Sequence, residues 1–85
     1  MTNVVLSSEG RRDYKKLPRD VQILIAEIFN AEFTRNPFSK LLHIKKLKPP
    51  FPGYRVRLGD YRVLFTIESE LIKIYRIRHR KDAYK

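Results

Sequence analysis

Arginines recur along one short stretch of the chain at spacings that suit the binding of phosphates. Arg55 and Arg57 occupy alternate positions, and Arg62 follows after Gly59-Asp60. Alternate residues of a strand project to one face, and a Gly-Asp pair favours a tight hairpin turn, so these three guanidiniums are predicted to converge. A guanidinium keeps its charge and matches phosphate in a two-point geometry. The stretch therefore predicts a site that holds phosphates.

A second basic segment, residues 78–84, holds one histidine and one tyrosine among cations. His79 is able to give or take a proton near neutral pH. Tyr84 is able to stack on a nucleobase or to relay a proton. The remaining cations of the segment complete the set that we predict to contact RNA: Arg78, Arg80 and Lys81.

Several other chemistries lack their residues in this sequence. The chain has no cysteine and three glycines, so it offers neither a thiol nucleophile nor a glycine-rich phosphate loop. No cluster of carboxylates and histidines indicates a metal site, and we predict no cofactor. Cleavage of a nucleic acid would then proceed by attack of a ribose 2′-OH on its adjacent phosphate, with basic side chains stabilising the anionic phosphorane. That route requires RNA, because DNA lacks the 2′-OH.

Charge is unevenly distributed along the 85 residues, whose formal net charge is +10. Basic and acidic residues balance over residues 1–34, so the whole excess lies in residues 35–85. A neutral first part and a basic second part predict a surface for a polyanion on a neutral scaffold. A membrane is not predicted as a partner, because no amphipathic helix carries the charge and no apolar run reaches about 20 residues. The lack of cysteine fits the cytoplasm, where we expect the protein to act.

Two helices are predicted in the first half of the chain. Ser7 or Ser8 can cap the first, which runs to about Lys16. Pro18 stands at the start of the second, which ends by about Asn36 because the next residue is a proline. The spacing of apolar residues in the second helix gives one broad stripe for the core: Val21, Leu24, Ile25, Ile28 and Phe29.

Strands are predicted over residues 4–6, 54–58, 61–68 and 71–79. Residues 37–53 hold four of the five prolines and are predicted to be irregular. In the third strand Val63 and Phe65 share the face that packs on the helices, while Arg62 lies on the other, basic face. The order β-α-α-β-β-β predicts a single α+β domain over residues 1–85, with a mostly antiparallel sheet and both helices packed on one face.

The segment Tyr54–Val63, YRVRLGDYRV, followed by His79–Tyr84, HRKDAY, resembles the RelE toxins of the RelE/ParE superfamily. Leu17-Pro18 before a helix and the segment around Leu47 fit the same pattern, so the resemblance covers nearly the whole chain. It implies a toxin of a type II toxin–antitoxin pair that enters the ribosomal A site and cleaves the bound mRNA codon, leaving a 2′,3′-cyclic phosphate. It also implies a cognate antitoxin that wraps the toxin, in a complex that binds operator DNA and represses its own operon.

The resemblance assigns roles to single residues. Arg62 and Arg80 match the arginines that in RelE toxins bind the phosphate and stabilise the transition state. Tyr84 matches a tyrosine that stacks on or orients the substrate base. Arg55 and Arg57 stand where the best-studied RelE toxins have lysines, one of which is a proposed general base.

The proton acceptor is left open by this pattern. An arginine holds its proton too tightly to be a good base. Either His79 accepts the proton of the 2′-OH, or Arg55 acts mainly as electrostatic support and cleavage is slower.

Two other functions fit the same pattern. A ParE-like toxin, which inhibits DNA gyrase, shares the fold, so the fold cannot decide between the branches. The presence of Arg62, Arg80 and Tyr84 favours RelE, because ParE toxins typically lack the nuclease residues. A non-catalytic or degenerate module that binds RNA or the ribosome would also use a basic sheet.

Some apolar residues are predicted to lie outside the core, where they can receive an amphipathic segment of another chain. An acidic antitoxin bound there would also neutralise the net charge of +10. These residues are Ile23, Ala26, Phe38, Phe51 and Leu71.

Overall fold

The computed structural model describes residues 3–30, 44–69 and 71–81, which form two helices and five strands. The helices are α1 (Ser8–Lys15) and α2 (Arg19–Asn30). The strands are β1 (Asn3–Leu6), β2 (Ile44–Lys46), β3 (Tyr54–Leu58), β4 (Tyr61–Glu68) and β5 (Leu71–His79). They form one sheet in the order β1-β5-β4-β3-β2, in which β1 is parallel to β5 and the other neighbours are antiparallel. The predicted α+β fold is confirmed.

One strand was not predicted. Strand β2 lies within the proline-rich segment that we expected to be irregular, and it pairs with β3 through Lys45 opposite Arg55. A segment of three residues, two of them lysines, is too short to show the alternation of apolar and polar residues that predicts a strand. Its pairing with β3 is what makes it a strand. The predicted end of the second helix near Asn36 lies outside the described residues.

Helix α1 covers the part of β5 that β1 leaves open. Its N-cap is Ser7, whose Oγ accepts a hydrogen bond from the Gly10 amide at 3.0 Å, and whose own amide donates to the Ile74 carbonyl at 2.9 Å. A Cβ at Gly10 would collide with the Ile74 carbonyl oxygen, so only glycine fits there. One turn later Asp13 Oδ2 accepts from the Ile77 amide at 2.9 Å. The helix thus satisfies edge groups of β5 that lack a strand partner.

Helix α2 packs on the buried face of the sheet. Ile25 and Phe29 are each 2% exposed, and the Phe29 ring meets Phe65 edge-on with centroids 6.0 Å apart. Leu24, predicted to belong to the same stripe, is instead 40% exposed. It is turned about 100° from Ile25 around the helix axis, beyond the stripe that one sheet face can cover. No helix among the described residues is long and apolar enough to cross a membrane.

A β-bulge in β5 decides which side chains face outwards. Leu64 of β4 pairs with Arg76, whereas the next residue, Phe65, pairs with Ile74, so Tyr75 is an extra residue in the ladder. Strict alternation from Ile74 would have turned Arg76 towards the helices. The bulge reverses the alternation and places the later arginines of β5 on the outer face.

Candidate phosphate-binding site

Cations from four strands share the outer face of the sheet, the face opposite α2. The register places Arg57 directly opposite Arg62, and Arg62 opposite Arg78. This confirms that Arg55, Arg57 and Arg62 project to one face. We call the following set the cationic face: Lys45, Arg55, Arg57, Arg62, Lys73, Arg76 and Arg78.

A pocket of about 180 Å³ opens at the turn between β3 and β4. Gly59 has a φ of 63° there, a conformation that favours glycine, and with Asp60 it forms the two-residue turn that the sequence predicted. The turn returns the chain so that cations of both strands reach the same opening. The lining residues are Arg57, Gly59, Asp60, Tyr61, Arg62 and Arg80.

Arg80 reaches the pocket because its backbone is joined to the turn. The Arg80 amide donates to the Asp60 carbonyl at 2.7 Å, which fixes the position of the residue after β5. Its Nε also lies 3.9 Å from Asp60 Oδ1, but the two side chains are 67% and 62% exposed. An ion pair this exposed and this long contributes little stability. A phosphate can therefore replace the carboxylate at small cost.

Arg62 occupies a different environment from Arg80 within the same pocket. Its Nε atom is buried, whereas most of the Arg80 side chain is exposed. Charges act more strongly where water is excluded, so an anion near Arg62 gains more than it would at the open surface. With Arg57 the pocket holds three guanidiniums against one carboxylate, and this excess of positive charge favours an anionic ligand.

The structure does not bring the His79 ring to the cationic face. His79 pairs with Tyr61, one position beyond Arg78, and its ring meets the Tyr61 ring edge-on with centroids 5.1 Å apart. Its Nδ1 accepts a hydrogen bond from the Lys81 amide at 3.2 Å. Within the residues that the structure describes, the His79 ring therefore meets the pocket through Tyr61, which lines it.

The other predicted site residues have varied positions. Arg55 lies opposite Leu64, two residues and about 7 Å along β3 from Arg57. Lys81 follows β5 and is exposed. Tyr84, predicted to contact the substrate base, lies outside the described residues.

Three residues that line the pocket were not predicted to belong to the site. Gly59 and Asp60 were expected only to form the turn, and Tyr61 was assigned no role in the site. All three lie between Arg57 and Arg62 in the sequence, which was the available signal. Within residues 3–30, 44–69 and 71–81, no three or more histidines and carboxylates are grouped as a metal would need.

Comparison with known proteins gives a consistent result over nearly the whole chain. Residues 4–84 match the family model of the ParE toxin of the type II toxin–antitoxin system parDE. The chain is 32% identical over 74 residues to the toxin RelE3 of Methanocaldococcus jannaschii, covering 86% of this chain and 84% of that protein.

Solved structures show the same relationship. The chain is similar to one in the RelBE2 toxin–antitoxin complex of Mycobacterium tuberculosis, with a TM-score of 0.79, 28% identity, and coverage of 93% of this chain and 98% of that one. It is also similar to one in the RelB–RelE antitoxin–toxin complex of Methanococcus jannaschii, with a TM-score of 0.78, 28% identity and 94% coverage of both. The chain therefore belongs to the RelE/ParE superfamily of toxins of type II toxin–antitoxin systems.

Proposed function

We propose that this toxin is a ribosome-dependent endoribonuclease that cleaves mRNA in the ribosomal A site and so inhibits translation. One observation carries the proposal: Arg57, Arg62 and Arg80 line a single pocket of about 180 Å³. The Arg80 side chain can move from Asp60 to a phosphate without any rearrangement of the fold. The hydrogen bond that joins Arg80 to the turn is made by its backbone amide and does not involve the side chain.

The proposed reaction uses these arginines to stabilise charge. The ribose 2′-hydroxyl loses its proton as its oxygen bonds to the adjacent phosphorus, and the bond from phosphorus to the 5′-oxygen breaks. The 5′-oxygen takes up a proton, so the products are a 2′,3′-cyclic phosphate and a 5′-hydroxyl. Two negative charges develop on the phosphorane, where fixed cations stabilise it more than they stabilise the ground state. Arg62 holds the phosphate from the buried side, and Arg80 closes on it from the exposed side. Arg57 completes the set, and Tyr84 orients the substrate base.

Partners follow from the same proposal. The two solved relatives described above are complexes of a toxin with an antitoxin, and we infer that this toxin has a cognate antitoxin as well. The net charge of +10 supports binding to the ribosome and its mRNA, and it favours an acidic antitoxin. Contact with operator DNA would be indirect, through the toxin–antitoxin complex. A protein that acts on translating ribosomes works in the cytoplasm.

A reconstituted translation assay tests the proposal through single substitutions. Arg62→Ala and Arg80→Ala should each lower the rate of mRNA cleavage by about 100-fold or more, because each removes one group that stabilises the phosphorane. Lys73→Ala is the matched control, since Lys73 lies on the cationic face opposite Thr66 and away from the pocket. Mapping of mRNA 3′ ends on arrested ribosomes gives the rate. Full cleavage by the Arg80→Ala protein would overturn the assignment.

Inhibition of DNA gyrase is the second candidate, because the family model that matches residues 4–84 is that of ParE toxins. Expression of the toxin in cells separates the two functions. The RelE function predicts that protein synthesis stops first, with mRNA cut at the A site. The ParE function predicts blocked replication and a DNA damage response while mRNA stays intact. Arrested ribosomes that carry uncut mRNA would instead indicate a module that binds without cleaving.

A further inference from the structure

The turn between β2 and β3 presents a phenylalanine to solvent in a part of the chain without carboxylates. Phe51 is 58% exposed. No aspartate or glutamate occurs between Glu32 and Asp60, an interval that holds seven lysines and arginines. The exposed cations of β2 and of the turn itself are Lys45, Lys46 and Lys48. An exposed aromatic ring among cations is the combination that binds single-stranded nucleic acid.

Backbone hydrogen bonds hold this turn in one conformation. The Leu47 amide donates to the Gly53 carbonyl at 2.9 Å, and the Phe51 amide donates to the Lys48 carbonyl at 3.2 Å. Prolines stand on both sides of Phe51 and restrict the backbone around it. A ring presented by a fixed turn loses little freedom on binding, so more of the contact energy appears as affinity.

Tyr75 ties the turn to the sheet. Its hydroxyl donates a hydrogen bond to the Pro52 carbonyl at 2.8 Å. Because β4 lies between β5 and β3 in the sheet, this bond joins two segments on opposite sides of β4. Tyr75 follows the buried Ile74 in β5, so its side chain leaves the sheet on the side of the cationic face. The turn therefore lies beside that face, at the end of β3 opposite the pocket.

We propose that Phe51 stacks on an unpaired base of single-stranded RNA while Lys45 and Lys48 contact its phosphates. The extended chain from Gly53 to Arg57 is about 13 Å long, so one RNA strand along the cationic face can reach both the pocket and Phe51. Stacking accepts any base, so this contact adds affinity without sequence preference. It concerns binding alone and does not depend on the cleavage chemistry proposed above.

Tryptophan fluorescence provides a direct test, because the chain has no tryptophan. Phe51→Trp places a single indole at the turn, and titration with an uncleavable 2′-O-methyl RNA oligonucleotide should quench its emission. Ile23→Trp is the control, since Ile23 is 49% exposed on α2, away from the cationic face. An equal response of both proteins, or none at Phe51→Trp, would overturn the proposal.

Affinity measurements separate stacking from charge. Phe51→Ala should weaken binding of the same oligonucleotide roughly 5- to 100-fold, Phe51→Leu should be as weak, and Phe51→Tyr should bind like the wild type. The dependence of affinity on salt should stay unchanged in Phe51→Ala, whereas Lys48→Ala should reduce its slope by about 1. Polyphosphate, which has no bases, should bind wild type and Phe51→Ala equally.

Three results contradict this proposal without touching the proposed function. Wild-type RNA affinity of the folded Phe51→Ala protein would exclude the stacking contact. Loss of antitoxin binding by Phe51→Ala, with RNA binding intact, would assign the ring to a protein partner instead. Rescue of affinity by Phe51→Leu would indicate apolar contact in place of stacking. Failure of the proposed function is equally distinct. Full cleavage by the Arg62→Ala protein would contradict the proposed cleavage chemistry, while RNA could still quench the emission of the Phe51→Trp protein.

Discussion

Arg57 of β3 and Arg62 of β4 are direct cross-strand partners, and Arg78 of β5 extends the same row as the partner of Arg62. Like charges directly opposite one another destabilise an antiparallel pair. Arg57 and Arg62 both line the pocket, so an anion placed there would relieve their repulsion.

Arg57→Thr should increase the stability of the free protein. The substitution removes the charge opposite Arg62, and we expect a gain of up to about 1 kcal/mol in the free energy of unfolding at low ionic strength. The gain should shrink as salt screens the repulsion. Urea denaturation at low and high salt measures it.

Lys73→Thr is the control for this prediction, because Lys73 lies opposite the uncharged Thr66. Lys73→Thr also replaces a long cationic side chain of a strand by threonine, but it removes no charge that faces another cation. Equal gains in Arg57→Thr and Lys73→Thr, or a gain that is insensitive to salt, would show that repulsion within the row is negligible.

His79 should support the pocket through its contact with Tyr61, without transferring a proton. His79→Ala removes the ring contact and should slow mRNA cleavage several-fold, since small displacements of a pocket wall disturb the alignment of the reacting groups. His79→Phe keeps a ring against Tyr61 but cannot carry a proton, and it should retain most of the rate. The dependence of the rate on pH should match that of the wild type.

The general-base hypothesis makes the opposite prediction for the same pair of variants. If His79 accepts the proton of the 2′-OH, His79→Phe should be as impaired as His79→Ala, and the limb of the pH–rate profile that reports the base should disappear. Single-turnover cleavage on programmed ribosomes distinguishes the two outcomes.

Tyr75→Phe should destabilise the fold by about 1 kcal/mol near neutral pH, because it removes the hydrogen bond to the Pro52 carbonyl. Burial raises the pKa of Tyr75 above its ordinary value of 10.0. The folded state thus favours the protonated hydroxyl, and this contribution is complete below the unfolded pKa and is lost as pH rises towards the folded pKa.

The stability difference between wild type and Tyr75→Phe should therefore be constant up to about pH 9 and decrease above about pH 10. Chemical denaturation over this pH range measures the difference. The titration of the other tyrosines cancels, because both proteins contain them. A difference that grows in alkali would contradict the direction of the shift.

Alternation in the sequence was sufficient for the strands that build the pocket. Val56, Val63 and Phe65 are fully buried where the pattern predicted, and the Gly59-Asp60 turn set Arg57 against Arg62. These features are local, because side-chain direction in a strand and the geometry of a two-residue turn depend on neighbours in the chain. The pairing of Arg57 with Arg62 at this turn could thus be predicted before any tertiary contact was known.

Longer-range packing decided the rest. The bulge at Tyr75 turned Arg78 outwards, opposite Arg62. The position of such an extra residue in a β-ladder cannot be predicted from a local sequence pattern. His79, grouped with the arginines by sequence, instead meets Tyr61. The residue types were enough to indicate the superfamily, and they predict phosphate chemistry. The tertiary structure alone brought Arg80 to the pocket and Arg78 opposite Arg62, because the bulge and the bond from Arg80 to the turn depend on the pairing of distant segments.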